Sequence, residues 1–172
     1  MSEPTGIATR DPWKPLVRLG QIALGLGILD LLRFPVNLLL FDFADVFLSL
    51  YCGWALIRRH RSALLKTAIA GGVILGNAMV SLPLITGTLL HEMDRSSPQL
   101  SAIVISRLIL YGLQLLFWPL ASAAAMCDQR SRGIRDAYAD HARDTVIGAF
   151  CVSFWISAVL QTLIKILMFR LV

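Results

Sequence analysis

The chain has 172 residues, of which 56% are apolar and 16% are charged, and its mean hydropathy is +0.69. Soluble domains are about 45–50% apolar and about 25% charged, so this composition excludes an ordinary soluble domain. The net charge of +5 makes nucleic-acid binding a candidate function. Such binding needs a contiguous basic face with aromatic side chains that stack on bases. Here the basic residues form short clusters between apolar stretches, as in the loops of membrane proteins. We therefore expect the lipid bilayer, and no nucleic acid, as a partner.

Residues 1–15 are polar and contain Pro4, Pro12 and Pro15, which predicts a cytoplasmic N-terminal tail. The apolar stretch that follows does not end in a small-residue cleavage site of the A-x-A type, as a secretory signal would. We therefore expect this stretch to be retained as a helix, and residues 16–172 to form a single transmembrane helical domain.

Five apolar stretches follow one another along the chain. A membrane-spanning helix needs about 20 residues, with about 17–25 being usual, and all five stretches meet that length, although the first is short. The sequence predicts an all-α, polytopic transmembrane helix bundle with about five spans. The expected spans are residues 16–32, 36–57, 64–90, 101–126 and 145–169.

The segment Arg33-Phe34-Pro35 predicts a tight turn between the first two spans, because proline disfavours helix in the residue before it. The alternative is one kinked helix over residues 16–40, with residues 41–45 as a loop. That arrangement leaves residues 46–57 to cross back, which is too short for a span. A re-entrant first segment stays open.

The distribution of Lys and Arg predicts the orientation, because these residues are retained on the cytoplasmic side. With the N-terminus inside, eleven of the sixteen basic residues fall on the inner side. They are Arg10, Lys14, Arg18, Arg58, Arg59, Arg61, Lys66, Arg130, Arg132, Arg135 and Arg143. We expect a cytoplasmic N-terminus, and the short loops with this bias suggest a bacterial inner (plasma) membrane.

Three aspartates are the main candidates for chemistry: Asp30 near the end of the first span, and Asp42 and Asp45 in the second. A carboxylate at bilayer depth costs about 2.5–3.5 kcal/mol on insertion scales, so it is expected to pair or to line a polar pathway. Asp42 and Asp45 share a helix face. They form a proton or cation site, or they lie in the outer third of the span, where they are hydrated or paired with Arg33 or Arg107.

Arg107 enters the fourth span from the same outer side. It either snorkels to the headgroups or pairs with one of these aspartates. Lys165 and Arg170, at the end of the last span, are expected to snorkel in the same way.

Small residues recur at four-residue spacing in three spans, and this pattern lets helix backbones approach closely. Asn77 follows the longest such run and is expected to hydrogen-bond across the helix contact. The pattern predicts helix packing and homo-oligomerisation, without a specific function. Its members are Ala68, Gly72 and Gly76 in the third span, Ala23 and Gly27 in the first, and Ser153 and Ser157 in the fifth.

Trp13, Trp54 and Trp118 lie near the expected inner boundary, as in an aromatic belt, whereas Trp155 does not fit that belt. The cysteines and histidines lack the spacing of metal or haem ligands, so we expect no metal and no cofactor. These residues are Cys52, Cys127, Cys151, His60, His91 and His141.

Three functions agree with this pattern of apolar spans and intramembrane aspartates. The favoured hypothesis is a non-enzymatic subunit, assembly factor or regulator that acts through helix contacts with a membrane-protein partner or with its own copies. The second is a small transporter or proton-coupled or cation-coupled carrier that uses the intramembrane aspartates. The third is a membrane enzyme acting on lipid or isoprenoid substrates, with the same aspartates near the interface.

Overall fold

The computed structural model describes residues 13–32, 40–60, 62–92, 98–126 and 143–171. These residues form five α-helices and no strand. The helices are α1 (Trp13–Leu32), α2 (Leu40–Ile57), α3 (Ala63–Glu92), α4 (Pro98–Met126) and α5 (Arg143–Leu171). The first twelve residues of the expected tail, the expected turn at Arg33-Phe34-Pro35 and the basic loop 130–142 lie outside the described residues.

The expectation of an all-helical chain is confirmed. Four helices contain segments long and apolar enough to cross a membrane, namely Trp13–Leu32, Ala63–Pro83, Leu108–Met126 and Asp144–Leu167. The fifth, α2, contributes a shorter apolar segment, Ala44–Ile57. These features describe a polytopic membrane protein. The number of spans and the orientation stay predictions.

Helices α1 to α4 form a ring in which each helix packs against the next and α4 returns to contact α1. Helix α5 lies outside this ring and packs along α3, with a smaller contact to α4. Helix α3 therefore contacts three neighbours, and it carries the most buried of the candidate spans. Pro83 in α3 and Pro119 in α4 lie inside their helices.

The contact between α3 and α5 depends on two glycines of α3. A Cβ atom on Gly72 would lie 2.6 Å from the carbonyl oxygen of Phe150, and one on Gly76 would lie 2.5 Å from that of Phe154. Both distances are far below van der Waals contact, so only glycine permits this backbone approach. Gly72 lies against Ser153 and Gly76 against Ser157, which shows that the two helices run parallel and in register.

A second close contact joins α1 and α2, which run antiparallel. A Cβ atom on Gly53 would lie 2.7 Å from the carbonyl oxygen of Gly20, and Gly27 lies against Leu50. Ala23, which lies between Gly20 and Gly27 on α1, is completely buried. Ala68 on α3 is completely buried as well. The small residues singled out in the sequence therefore lie in contacts within one chain.

The turn between α2 and α3 has an unusual backbone. The N–H of His60 donates to the carbonyl of Ala55 at 2.9 Å, and that of Arg59 to Leu56 at 3.2 Å. This pair of bonds is the Schellman pattern of a helix C-terminus, in which the residue after the cap adopts a left-handed conformation and is usually glycine. Here that residue is Arg59, with φ of 51°. Ser62 follows with φ of 67°.

Gly76→Ala tests the contact between α3 and α5. The added methyl group should force the two backbones apart and destabilise the bundle by about 1–3 kcal/mol, the usual cost of overpacking. The matched control is Gly25→Ala in α1, because a Cβ atom there would meet nothing within 4 Å. The control should be neutral, or stabilising by up to about 1 kcal/mol through helix propensity. Reversible unfolding in mixed micelles measures both changes, and equal effects at the two sites would contradict the described contact.

Candidate functional site

Four polar side chains from three helices form a continuous hydrogen-bonded chain inside the bundle. The ammonium of Lys165 on α5 donates to the hydroxyl oxygen of Ser81 at 3.0 Å. The hydroxyl of Ser81 donates to the side-chain carbonyl of Asn77, one turn earlier on α3, at 3.2 Å. The amide of Asn77 donates to the carboxylate of Asp45 on α2 at 2.5 Å. We call these four residues the polar chain.

All three bonds of the polar chain point in the same direction. An ionised carboxylate can only accept hydrogen bonds, so the amide nitrogen of Asn77 must face Asp45, and its oxygen is then left to accept from Ser81. An ammonium can only donate, which fixes Lys165 at the other end. Hydrogen bonds aligned in this way polarise and strengthen one another in a medium of low dielectric constant.

The side chains at the centre of the polar chain are buried within the bundle. Asp45 is 5% exposed and Asn77 is 3% exposed. Asn77 is fourteen residues beyond the first residue of α3, or about 21 Å at 1.5 Å per residue. Interhelical hydrogen bonds in membranes contribute about 0.6 kcal/mol each on average, so the two that join helices here offset only part of the cost of one buried charge. The opposite charges at the two ends of the chain supply further compensation.

A separate polar contact joins α1 and α4. The side-chain amide of Gln114 donates a short hydrogen bond to the carboxylate of Asp30. Gln114 is buried, and Asp30 is half-buried near the end of α1. This contact joins the two helices that close the ring and shares no residue with the polar chain. Asp30 and Asp45 thus each accept a hydrogen bond from a neutral side-chain amide on another helix.

Smaller polar contacts complete the links between helices. The thiol of Cys52 on α2 contacts the hydroxyl of Thr67 on α3 at 3.3 Å, and the hydroxyl of Ser157 on α5 donates to the carbonyl of Val73 on α3 at 2.8 Å. Among the described residues, the buried indole nitrogen of Trp118 and the hydroxyl of Ser122 have no hydrogen-bond partner.

The structure brings together only some of the residues predicted from sequence. Asn77 was expected to hydrogen-bond across the small-residue contact, which here joins α3 to α5. Its amide instead donates to Asp45 on α2. Asp42 lies one turn before Asp45 on α2, and Arg107 lies in α4. The side chains of Asp42 and Arg107 lie outside the described part of the chain, so their expected pairing stays a prediction.

Sequence reasoning missed Ser81 and Gln114 and misplaced Lys165. Lys165 was expected to snorkel to the headgroups, whereas its ammonium contacts Ser81 inside the bundle. A signal was present in α5, where polar residues recur at every fourth position. This spacing places them on one helix face, and that face meets α3. The stripe consists of Ser153, Ser157, Gln161 and Lys165.

The tryptophans also differ from the expected aromatic belt. Trp54 is exposed, but Trp13 and Trp118 are buried. Both pack in the core of the bundle, so their rings do not face lipid. The position of a residue within an apolar stretch indicates its depth along the span. It does not indicate whether the side chain faces lipid or the core of the bundle.

The chain matches no protein-family model, and comparison with curated proteins and with solved structures likewise gives no match. Within the described ranges, His, Cys, Asp and Glu form no group of three or more that could hold a metal ion. The class that the fold defines is therefore a small polytopic membrane protein with a buried interhelical polar chain.

A double-mutant cycle tests whether the polar chain acts as one unit. Asp45→Asn and Lys165→Met should each destabilise the bundle, and the double variant should recover part of the loss because neither end charge is then left uncompensated. We expect a coupling free energy of about 1 kcal/mol, within the range for residues of one network.

The control cycle combines Asp30→Asn with Lys165→Met. Asp30 belongs to the separate contact with Gln114, so these effects should add within about 0.5 kcal/mol. Both cycles follow from the unfolding free energies of the wild type, the three single variants and the two double variants. Additivity in the first cycle would show that the four residues are independent contacts.

Proposed function

We propose that this protein is a non-enzymatic component of an assembly in a bacterial inner membrane, acting as a subunit, assembly factor or regulator. Its contact with the partner is the outer face of α5. The observation that carries the proposal is the position of Trp155 on that face.

Trp155 lies at mid-membrane depth and faces outward. It is 66% exposed and occupies the middle of the candidate span Asp144–Leu167. Tryptophan is enriched at the membrane interfaces, where its indole N–H can reach water or headgroups. Lipid tails cannot accept that hydrogen bond, and the described residues offer Trp155 only a ring contact with Phe154. A partner helix that supplies a carbonyl or hydroxyl oxygen would satisfy the indole N–H.

The residues around Trp155 form a seam suited to another helix. Gly148, Val152, Trp155 and Val159 follow one another at spacings of four, three and four, so they lie on one face of α5. All four are exposed. A Cβ atom on Gly148 would meet nothing within 4 Å, which leaves room for a second backbone to approach. The polar stripe of α5 faces α3, so the seam is a side of α5 that the described residues leave uncovered.

The buried polar groups favour this component function over catalysis. The carboxylates of Asp30 and Asp45 are each engaged by an amide from another helix. Such contacts hold helices in a fixed register, which suits a rigid docking element. No specific contact among the described residues favours the third hypothesis, an enzyme acting on lipid or isoprenoid substrates.

Trp155→Leu tests the component function by removing the indole while keeping an apolar surface. After gentle extraction, native mass spectrometry should show the wild type bound to a stoichiometric membrane-protein partner. The variant should lose at least about tenfold in the bound fraction, the effect expected of a central aromatic contact. The control is Leu116→Ala on α4, at a side chain that is equally exposed, and it should retain the partner.

A photo-crosslinking amino acid at position 155 and at position 116 places the contact. The cross-link should reach the same partner from position 155 only. A wild-type protein that stays monomeric or binds only its own copies, or a partner retained by Trp155→Leu, would overturn the proposal.

A second candidate function is a proton-coupled or cation-coupled carrier. It is favoured by one observation, the continuous chain of hydrogen bonds from Lys165 to Asp45. Ionisable residues inside a membrane bundle mark proton and ion pathways, and Asp45 and Lys165 are the ionisable groups at the two ends of this chain. Asp42, one turn from Asp45 on α2, would extend the route towards the start of that helix.

Proteoliposomes that contain a pH-sensitive dye test the carrier function. If the polar chain conducts protons, the wild type should dissipate an imposed pH gradient faster than empty vesicles, and Asp45→Asn should abolish the excess rate. The control Asp144→Asn removes an exposed carboxylate at the start of α5 and should leave the rate unchanged. Equal rates for wild-type and empty vesicles would exclude proton conduction.

A further inference from the structure

Basic and aromatic side chains gather at the turn between α2 and α3, apart from the polar chain and the seam of α5. Tyr51 and Trp54 stack with their ring centroids 6.3 Å apart, and the ring of His60 lies 6.0 Å from that of Trp54. The ammonium of Lys66 lies 5.0 Å from the centre of the Tyr51 ring and 3.0 Å from Nδ1 of His60. We call Tyr51, Trp54, Arg58, Arg59, His60 and Lys66 the turn cluster.

The side chains of the turn cluster are accessible from outside the bundle. Tyr51 is 44% exposed and Trp54 is 46% exposed, and Arg58, Arg59 and His60 are exposed as well. The turn lies at an end of the bundle, where a membrane helix meets the headgroup layer. Tyrosine and tryptophan favour this depth because their rings are apolar and their polar atoms reach water.

Among the described residues, the charge at this end of the bundle is mostly positive. Arg58, Arg59 and Lys66 belong to the turn cluster, and Lys14 and Arg18 lie exposed near the start of α1, which reaches the same end because α1 and α2 are antiparallel. Asp144 contributes a carboxylate there. The cations of this group would attract an anion.

Two contacts orient the ammonium of Lys66 within the turn cluster. Its ammonium is held by the face of the Tyr51 ring through a cation–π contact and by the ring nitrogen of His60. An ammonium that donates to Nδ1 requires the neutral His60 tautomer with its proton on Nε2. A cation held in this way loses little side-chain entropy when it binds a phosphate.

The backbone of the turn supplies an independent observation. Arg59 has φ of 51°, a left-handed conformation that costs a non-glycine residue about 1–2 kcal/mol. Glycine usually occupies this position of a helix C-terminus. Arginine at this position places a guanidinium group on the turn but strains the backbone. Strained backbone of this kind is found often at binding sites. The guanidinium is also the group whose planar set of donors matches phosphate oxygens.

We propose that the turn cluster binds the headgroup of an anionic phospholipid in the adjacent leaflet. The guanidinium groups of Arg58 and Arg59 and the ammonium of Lys66 bind the phosphate, and Tyr51 and Trp54 contact the glycerol and upper acyl region. The ligand is a lipid because the cations and the exposed rings occur together, at the depth where a phospholipid presents its phosphate above its acyl chains. This site does not depend on the proposed partner of α5.

Native mass spectrometry of the full chain in detergent, titrated with phosphatidylglycerol or phosphatidylcholine, tests the proposal. The wild type should bind phosphatidylglycerol at least about tenfold more tightly, because a cation near the surface contributes about 1 kcal/mol to binding an anionic lipid. Combining Arg58→Gln with Arg59→Gln should lower the phosphatidylglycerol affinity about tenfold or more and lower that for phosphatidylcholine less, because the choline cation repels the same arginines.

The matched control combines Lys14→Gln with Arg18→Gln, which removes two exposed cations at the same end of the bundle but outside the turn cluster. This control should lose less phosphatidylglycerol affinity than the Arg58 and Arg59 variant, because its cations do not contact the phosphate in the proposed site. An equal loss in the control would indicate diffuse attraction and overturn the proposal, as would equal affinity of the wild type for the two lipids. Inorganic phosphate at millimolar concentration should not displace the lipid, and displacement would identify a free-anion site instead.

Discussion

Lipid tails are as apolar as leucine, so the helices of this bundle are held together by close backbone approach and by hydrogen bonds between polar side chains. Helix α3 provides both. On one side, Gly72 and Gly76 admit the backbone of α5. Asn77 and Ser81 then join Asp45 of α2 to Lys165 of α5. The rest of the described structure is arranged around this helix, because each contact fixes both the distance and the register of a neighbour.

The polar chain and the glycine contacts determine structure in different ways. Glycines set how closely two helices approach, but small-residue faces are common and select a partner weakly. A hydrogen-bonded chain with a carboxylate at one end and an ammonium at the other accepts only one register, because any shift leaves a charge without a partner in hydrocarbon. Specificity of packing is therefore a sufficient reason for these charges, and it leaves α5 with a rigid outer face from which Trp155 projects.

The sequence was a good guide to the elements and a poor guide to their contacts. Five apolar stretches became five helices, since spanning length and hydropathy are local properties of the chain. The contact of Asp45 with Asn77 joins residues 32 positions apart, and only the register of α2 against α3 creates it. For the same reason the sequence did not give the burial of Trp13 and Trp118, or the inward direction of Lys165. The four-residue polar stripe of α5 was readable, whereas Gln114, isolated in an apolar helix, gave no comparable signal.

The parallel arrangement of α3 and α5 has a consequence for synthesis of the chain. A ribosome delivers α2 and α3 to the membrane long before α5, because about fifty residues separate the end of α3 from the start of α5. During that interval Asp45 and Asn77 can bond, but the glycine face of α3 is bare and Ser81 lacks its cation. The nascent protein thus displays the groove that its own last helix will later fill. Early release of the chain would leave this unpacked, partly polar surface of α3 exposed inside the bilayer.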